Sequence, residues 1–74
     1  MMITTKSGSE YHYDPDERVV TWTAADGTTR EYTCITHTVI IVGYRFVYSG
    51  IRDIDGAPNT RITTPVVSIE DDPT

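Results

Sequence analysis

The chain contains no leucine, and 28 of its 74 residues branch at the β-carbon: 8 Ile, 7 Val and 13 Thr. Branching at Cβ crowds the preceding turn of a helix but packs well on a pleated, half-buried surface. Only three alanines are present to pull the other way. A helix bundle, a coiled coil and a Rossmann-type domain are therefore not expected. A chain this short makes one domain and buries roughly 60% of the surface that its unfolded form exposes, so its core is thin. The composition specifies an all-β domain and says nothing by itself of function.

Clusters of turn-forming residues cut the chain into short extended segments. Ile3 to Lys6 reads as a first strand, stopped by Ser7-Gly8-Ser9. From Glu10 to Asp14, Tyr11 and Tyr13 share one face while Glu10, His12 and Asp14 share the other. Asp14-Pro15-Asp16-Glu17 is a turn, because Pro presets φ and Asp bonds its own backbone. A third strand, Arg18 to Thr23, places Val20 and Trp22 together, and Ala24-Ala25-Asp26-Gly27 closes a hairpin. The fourth runs from Thr28 to about Ile35, before a break near Thr36-His37.

The most apolar stretch follows, from Thr38 to Tyr48. At period two, Ile40, Val42, Tyr44, Phe46 and Tyr48 form one apolar face, and Gly43 marks a bend or bulge. Trp22, Val42, Tyr44 and Phe46 are expected in one core. The opposite face holds Val39, Ile41, Gly43, Arg45 and Val47, so the strand is central or covered on its second side. Val39, Ile41, Arg45 and Val47 are the candidate interaction surface, to be covered by another segment, a second copy of the chain or a partner protein. A turn-rich loop spans Asp53 to Asn59, and the last strand, Arg61 to Ile69, holds Pro65 at an edge or a bulge. The expected fold is a small curled antiparallel sheet or SH3-like barrel of five to six short strands over residues 1–69, with an acidic flexible tail over 70–74.

Eleven acids against six bases leave a net charge of −5, which argues against a nucleic-acid binder. Glu70, Asp71 and Asp72 concentrate three of those charges in the tail and are a candidate electrostatic contact. The single Cys34 excludes an internal disulfide. No apolar run approaches the ~20 residues that a membrane-spanning helix needs. The first residues lack the pattern of a secretory signal, so the cytoplasm is the expected compartment.

Chemistry is harder to place. Cys34 and His37 invite a nucleophile-and-base reading, but residues three apart on a continuous strand point to opposite faces, so only a kink near Thr36 unites them. Three Cys and His residues in all do not make the paired spacings of a structural zinc site. Asp53-Ile54-Asp55-Gly56 resembles a calcium loop only superficially, because the first and twelfth ligand positions fall on Ile51 and Ile62. No phosphate loop, nucleophile elbow or dinucleotide fingerprint is present. The aromatic residues lack the basic neighbours of a single-strand-binding platform. Neither an enzymatic activity nor a metal or other cofactor is expected.

Ile3-Thr4-Thr5-Lys6-Ser7-Gly8-Ser9-Glu10-Tyr11 at the start and Arg61-Ile62-Thr63-Thr64-Pro65-Val66-Val67-Ser68-Ile69-Glu70 at the end carry a likeness. Together they resemble short proteins of unassigned function from actinobacteria and their bacteriophages. The resemblance implies a phage or prophage setting and brings no catalytic residues. In that setting the expected function is a non-enzymatic module that binds a host protein as inhibitor or modulator. A virion or self-assembling structural component is the alternative, acting through a homodimer or larger assembly. An acidic DNA mimic is the third reading, and it lacks a dense carboxylate face.

Overall fold

The computed structural model describes residues 1–71; Asp72, Pro73 and Thr74, the rest of the expected tail, lie outside the described residues. Six strands form a closed antiparallel barrel: β1 (Met2–Thr5), β2 (Glu10–Asp14), β3 (Val19–Thr23), β4 (Thr29–His37), β5 (Arg45–Arg52) and β6 (Pro58–Glu70). Each strand pairs with its neighbours in sequence, and β6 closes the barrel on β1. The two ends of the described chain are thus adjacent in space at the closure, where Ile3 faces Ile69 and Met2 faces Glu70. Glu70 is the last residue of β6 and not the first of a tail. Among the described residues no helix is long and apolar enough to cross a membrane.

Closure follows from the length of β6. Its 13 residues pair with β5 through its first half and with β1 through its second. The register slips by one residue in each half, between Arg45 and Val47 and between Thr4 and Thr5. Each slip is a bulge that sharpens the local twist, which is how so small a sheet curls through a full turn. Pro65 lies beside the first slip, where its missing N–H is tolerated, and its carbonyl accepts from Lys6 N–H at 2.9 Å.

The interior is aromatic because the chain has no leucine to fill it. Ile3, Tyr11, Val20, Tyr32, Cys34, Phe46, Tyr48 and Val66 are buried as one cluster. Phe46 lies at the centre, with ring centroids 5.2 Å from Tyr48, 6.2 Å from Tyr11 and 5.9 Å from His37. Edge-to-face and tilted pairs of this kind are the favoured aromatic geometry. Trp22 packs against the cluster half-buried.

The largest departure from the expected strands concerns residues 38 to 48. The strand begins only at Arg45 and runs on to Arg52, and residues 38–44 are a loop. Between Ile35 and Phe46 only Gly43 takes a positive φ without strain, and the reversal sits there with φ +96°. Tyr44 N–H bonds Ile41 C=O at 3.2 Å across the turn. Val42 and Tyr44 are therefore exposed and not in the core, although their spacing from Phe46 places them on its face. Val39 and Ile41 likewise leave the sheet, so they do not share a strand face with Arg45 and Val47. β6 begins at Pro58, three residues earlier than its composition indicates, because the Asp53–Ala57 turn is tight. Asp55 accepts from Ala57 N–H at 3.0 Å and pairs with Arg52, and these contacts hold its carboxyl below the usual range. Arg18, expected as strand, closes the β2–β3 turn at φ 55°.

Burial, reinforced by the neighbouring Tyr32 and Tyr11, drives the Tyr48 phenol well above its ordinary 10.0. The unfolded chain then loses this proton first as pH rises, so the folded state keeps the full contribution below about pH 10 and loses it above. Cys34, raised from 9.0 by burial, acts with the same sign. Stability is expected to fall by up to about 1.4 kcal/mol per pH unit for Tyr48 alone once pH exceeds its unfolded value. Denaturant titrations at stepped alkaline pH, read by circular dichroism, check this; a flat profile to pH values above 11 (about one unit past the unfolded phenol) contradicts it.

Candidate functional site

At one end of the barrel, where β4 passes into β5, the loop over residues 38–44 places four large apolar side chains in water. Val39 is 72% exposed, Tyr44 68%, Val42 53% and Ile41 47%. The loop is nevertheless anchored to the sheet at both sides. Thr38 N–H bonds Val47 C=O at 2.9 Å, and the Thr38 hydroxyl accepts from Val47 N–H at 3.1 Å. On the other flank Gly43 N–H bonds Val66 C=O at 2.8 Å, and Val66 N–H bonds Tyr44 C=O at 2.9 Å. Ile40 alone turns inward onto the core. The loop is thus a shaped protrusion that the barrel holds in place.

Three of the four expected interaction residues meet here. Val39, Ile41 and Arg45 line a groove of about 430 Å³ with Thr38 and Tyr44. The Arg45 guanidinium donates to Thr63 C=O at 3.0 Å, which fixes it as the polar wall of the groove. Val47 stands apart as a half-buried strand residue, opposite the exposed Ile62 on β6. Val42 and Tyr44 belong to this surface although period two places them in the core; Gly43 is the signal that the alternation breaks. Glu70 and Asp71 lie at the same end, since β6 finishes where β5 begins. Asp72 is outside the described residues.

Cys34 and His37 are brought to the same side of β4, contrary to expectation. A bulge between Cys34 and Thr36 shifts the register, so that Cys34 faces Gly50 and His37 faces Tyr48. The His37 ring then packs 4.8 Å from Tyr13. Each polar group takes a backbone carbonyl of its own: the thiol donates to Thr36 C=O at 3.5 Å, and His37 Nδ1 lies 2.6 Å from Thr38 C=O. No hydrogen bond joins the pair, and burial pushes the Cys34 thiol up, away from the thiolate that nucleophilic chemistry requires.

A second, polar concavity of about 360 Å³ lies on the outer face of β2, β3 and β4. His12, Thr21 and Glu31 are consecutive partners across three strands, which makes this row legible from the alternation of β2 once the pairing is known. The Asp14 carboxylate at its margin is occupied by Asp16 and Glu17 N–H groups at 3.0 and 3.3 Å. It is a turn-capping group first. Compared with known proteins, the chain matches no family, no curated protein and no solved structure.

Proposed function

We propose that this protein is a non-enzymatic binding module that docks a protein of the host cell through the β4–β5 loop and acts as its inhibitor or modulator. The observation that carries the reading is the loop itself: Val39, Ile41, Val42 and Tyr44 stand in water on a backbone tied down at both flanks. Leaving a large apolar side chain exposed forgoes about 1.5–3 kcal/mol of burial, which folding of the barrel does not recover and docking does. A rigid loop also loses little conformational freedom on binding. Glu70 and Asp71 at the same end favour a target with a basic rim around an apolar pocket. The likeness of the chain ends to phage proteins points to the host as the source of that target.

Val39→Glu and Ile41→Glu test the reading. Both side chains are solvated, so stability is expected to change by less than about 0.5 kcal/mol. Wild type is expected to retain one host protein in stoichiometric amount from host lysate, and both variants to lose it. Sedimentation of the same samples separates the alternative: a wild-type dimer that each variant converts to a folded monomer means that the loop serves self-assembly. Unfolding of either variant means that the loop is internal packing and sinks the proposal.

A further inference from the structure

The barrel wall has one open seam, along the first half of β6. Arg52 N–H bonds Ala57 C=O at 3.0 Å at the head of the β5–β6 hairpin, and Val47 directs its N–H and C=O to Thr38, away from β6. Antiparallel ladders alternate, so Asn59 and Arg61 spend their backbone groups on β5, while Thr60 and Ile62 turn theirs to the other side. Among the described residues no strand lies there. β1 pairs only with Val66 to Glu70, and the chain leaves β6 through Lys6 N–H on Pro65 C=O and Ser7 N–H on the Thr64 hydroxyl at 3.0 Å. Pro58 and Pro65, which have no N–H, bracket this free edge.

The side chains along the seam are short of acceptors. Arg61 lies with its guanidinium 4.1 Å from the Trp22 ring centroid and donates through Nε to the Tyr11 hydroxyl at 3.2 Å. Among the described residues no carboxylate pairs with it. The Trp22 indole N–H is buried with no acceptor. A half-buried cation and an unpaired donor thus flank two free backbone N–H groups.

We propose that this edge takes up an extended, acid-bearing segment of a partner protein as a seventh strand, its backbone on Thr60 and Ile62 and its carboxylate on Arg61. Strand addition supplies affinity through the main chain, and alternate side chains supply selectivity. A second copy of the chain does not fit the edge: antiparallel pairing of β6 on itself through Thr60 and Ile62 sets Arg61 directly opposite its own counterpart, and like charges in that position repel. Ile62 faces Val47, which anchors the root of the β4–β5 loop, so the two sites adjoin. They use different groups, the backbone of Thr60 and Ile62 here and the side chains of Val39 and Ile41 there, and separate substitutions test them.

Amide hydrogen exchange with two synthetic octapeptides tests the proposal: alternating Val and Thr with a central Glu, and the same peptide with Lys. In the free protein the Thr60 and Ile62 amides are expected to exchange at least about tenfold faster than those of Asn59 and Arg61. Millimolar Glu peptide is expected to slow both by about tenfold or more, and the Lys peptide is not. Thr60→Pro and Ile62→Pro remove only outward N–H groups, so each is expected to keep the fold and lose the peptide, while Ile41→Glu keeps both. Equal protection of all four amides in the free protein, no protection by the Glu peptide, equal protection by the Lys peptide, or protection that grows with protein concentration alone overturns it.

Discussion

Phe46→Ala is expected to leave the chain largely unfolded at 25 °C. Phe46 is fully buried and touches the rings of Tyr11, His37 and Tyr48, so it joins β2, β4 and β5 through one side chain. Removing a buried Phe side chain destabilises by about 3–5 kcal/mol, partly through lost transfer energy and partly through the cavity left behind. A domain of this length has roughly 4–10 kcal/mol in total, and thin cores lie at the lower end. The cavity here relaxes poorly, because its walls are large rings on strands already held by closure of the barrel. Phe46→Leu leaves most of the volume and is expected to fold with a loss of about 1–2 kcal/mol. Urea titrations followed by tyrosine and tryptophan fluorescence measure both. A folded Phe46→Ala protein with near wild-type stability would show that the core lies elsewhere.

Gly50→Ala is expected to be nearly as severe, although it adds a single methyl group. Gly50 is buried on β5 opposite Cys34, next to the bulge that sets the His37 ring against Tyr13 and Phe46. A Cβ built there collides with the carbonyl oxygen of Thr33, and it lies 3.0 Å from the Thr33 carbonyl carbon and 3.2 Å from Cys34 Cα. All three are backbone atoms, so no side chain can swing away. Relief requires β4 to move off β5, which breaks ladder bonds on both sides of the bulge. A loss of about 3 kcal/mol or more is expected, at the upper end for overpacking. Gly27→Ala provides a contrast, because nothing lies within 4 Å of a Cβ at that site and only its φ of +90° resists. Thermal unfolding of the two variants ranks a steric collision against a local backbone penalty of about 1 kcal/mol or slightly more; comparable losses would mean that the β4–β5 approach is looser than described.

Much of the barrel was legible in order along the chain. Tyr11 with Tyr13, and Val20 with Trp22, fall on the inner face as their alternation requires, and Ser7-Gly8-Ser9, Asp26-Gly27 and Asp55-Gly56 lie in turns between strands. These are local matters: a period of two sets the face, and Gly or Asp sets the reversal. The candidate surface was legible only in part. Val39, Ile41 and Arg45 meet in one groove, but through a loop, and the seam along Thr60 and Ile62 was not visible at all. An exposed edge depends on how far the neighbouring strand extends, and β1 stops four residues in.

The chain by itself determined that it would be all-β, because β-branched residues without leucine pack on a pleated surface and no stretch between turns accommodates a helix. It determined a largely aromatic interior for the same reason, since without leucine Tyr and Phe supply much of the bulk available to fill one. Tertiary structure alone decided where alternation holds. Tyr11, Phe46 and Tyr48 occupy the interior, while Val42 and Tyr44, equally apolar and correctly spaced, are left outside on a turn at Gly43. Closure decided the rest. The slips in β6 and the bulge in β4 that a six-stranded barrel uses to curl set the phase of His37 and leave the edge at Thr60 and Ile62 unpaired. These are consequences of register between strands far apart in sequence, which no local pattern encodes.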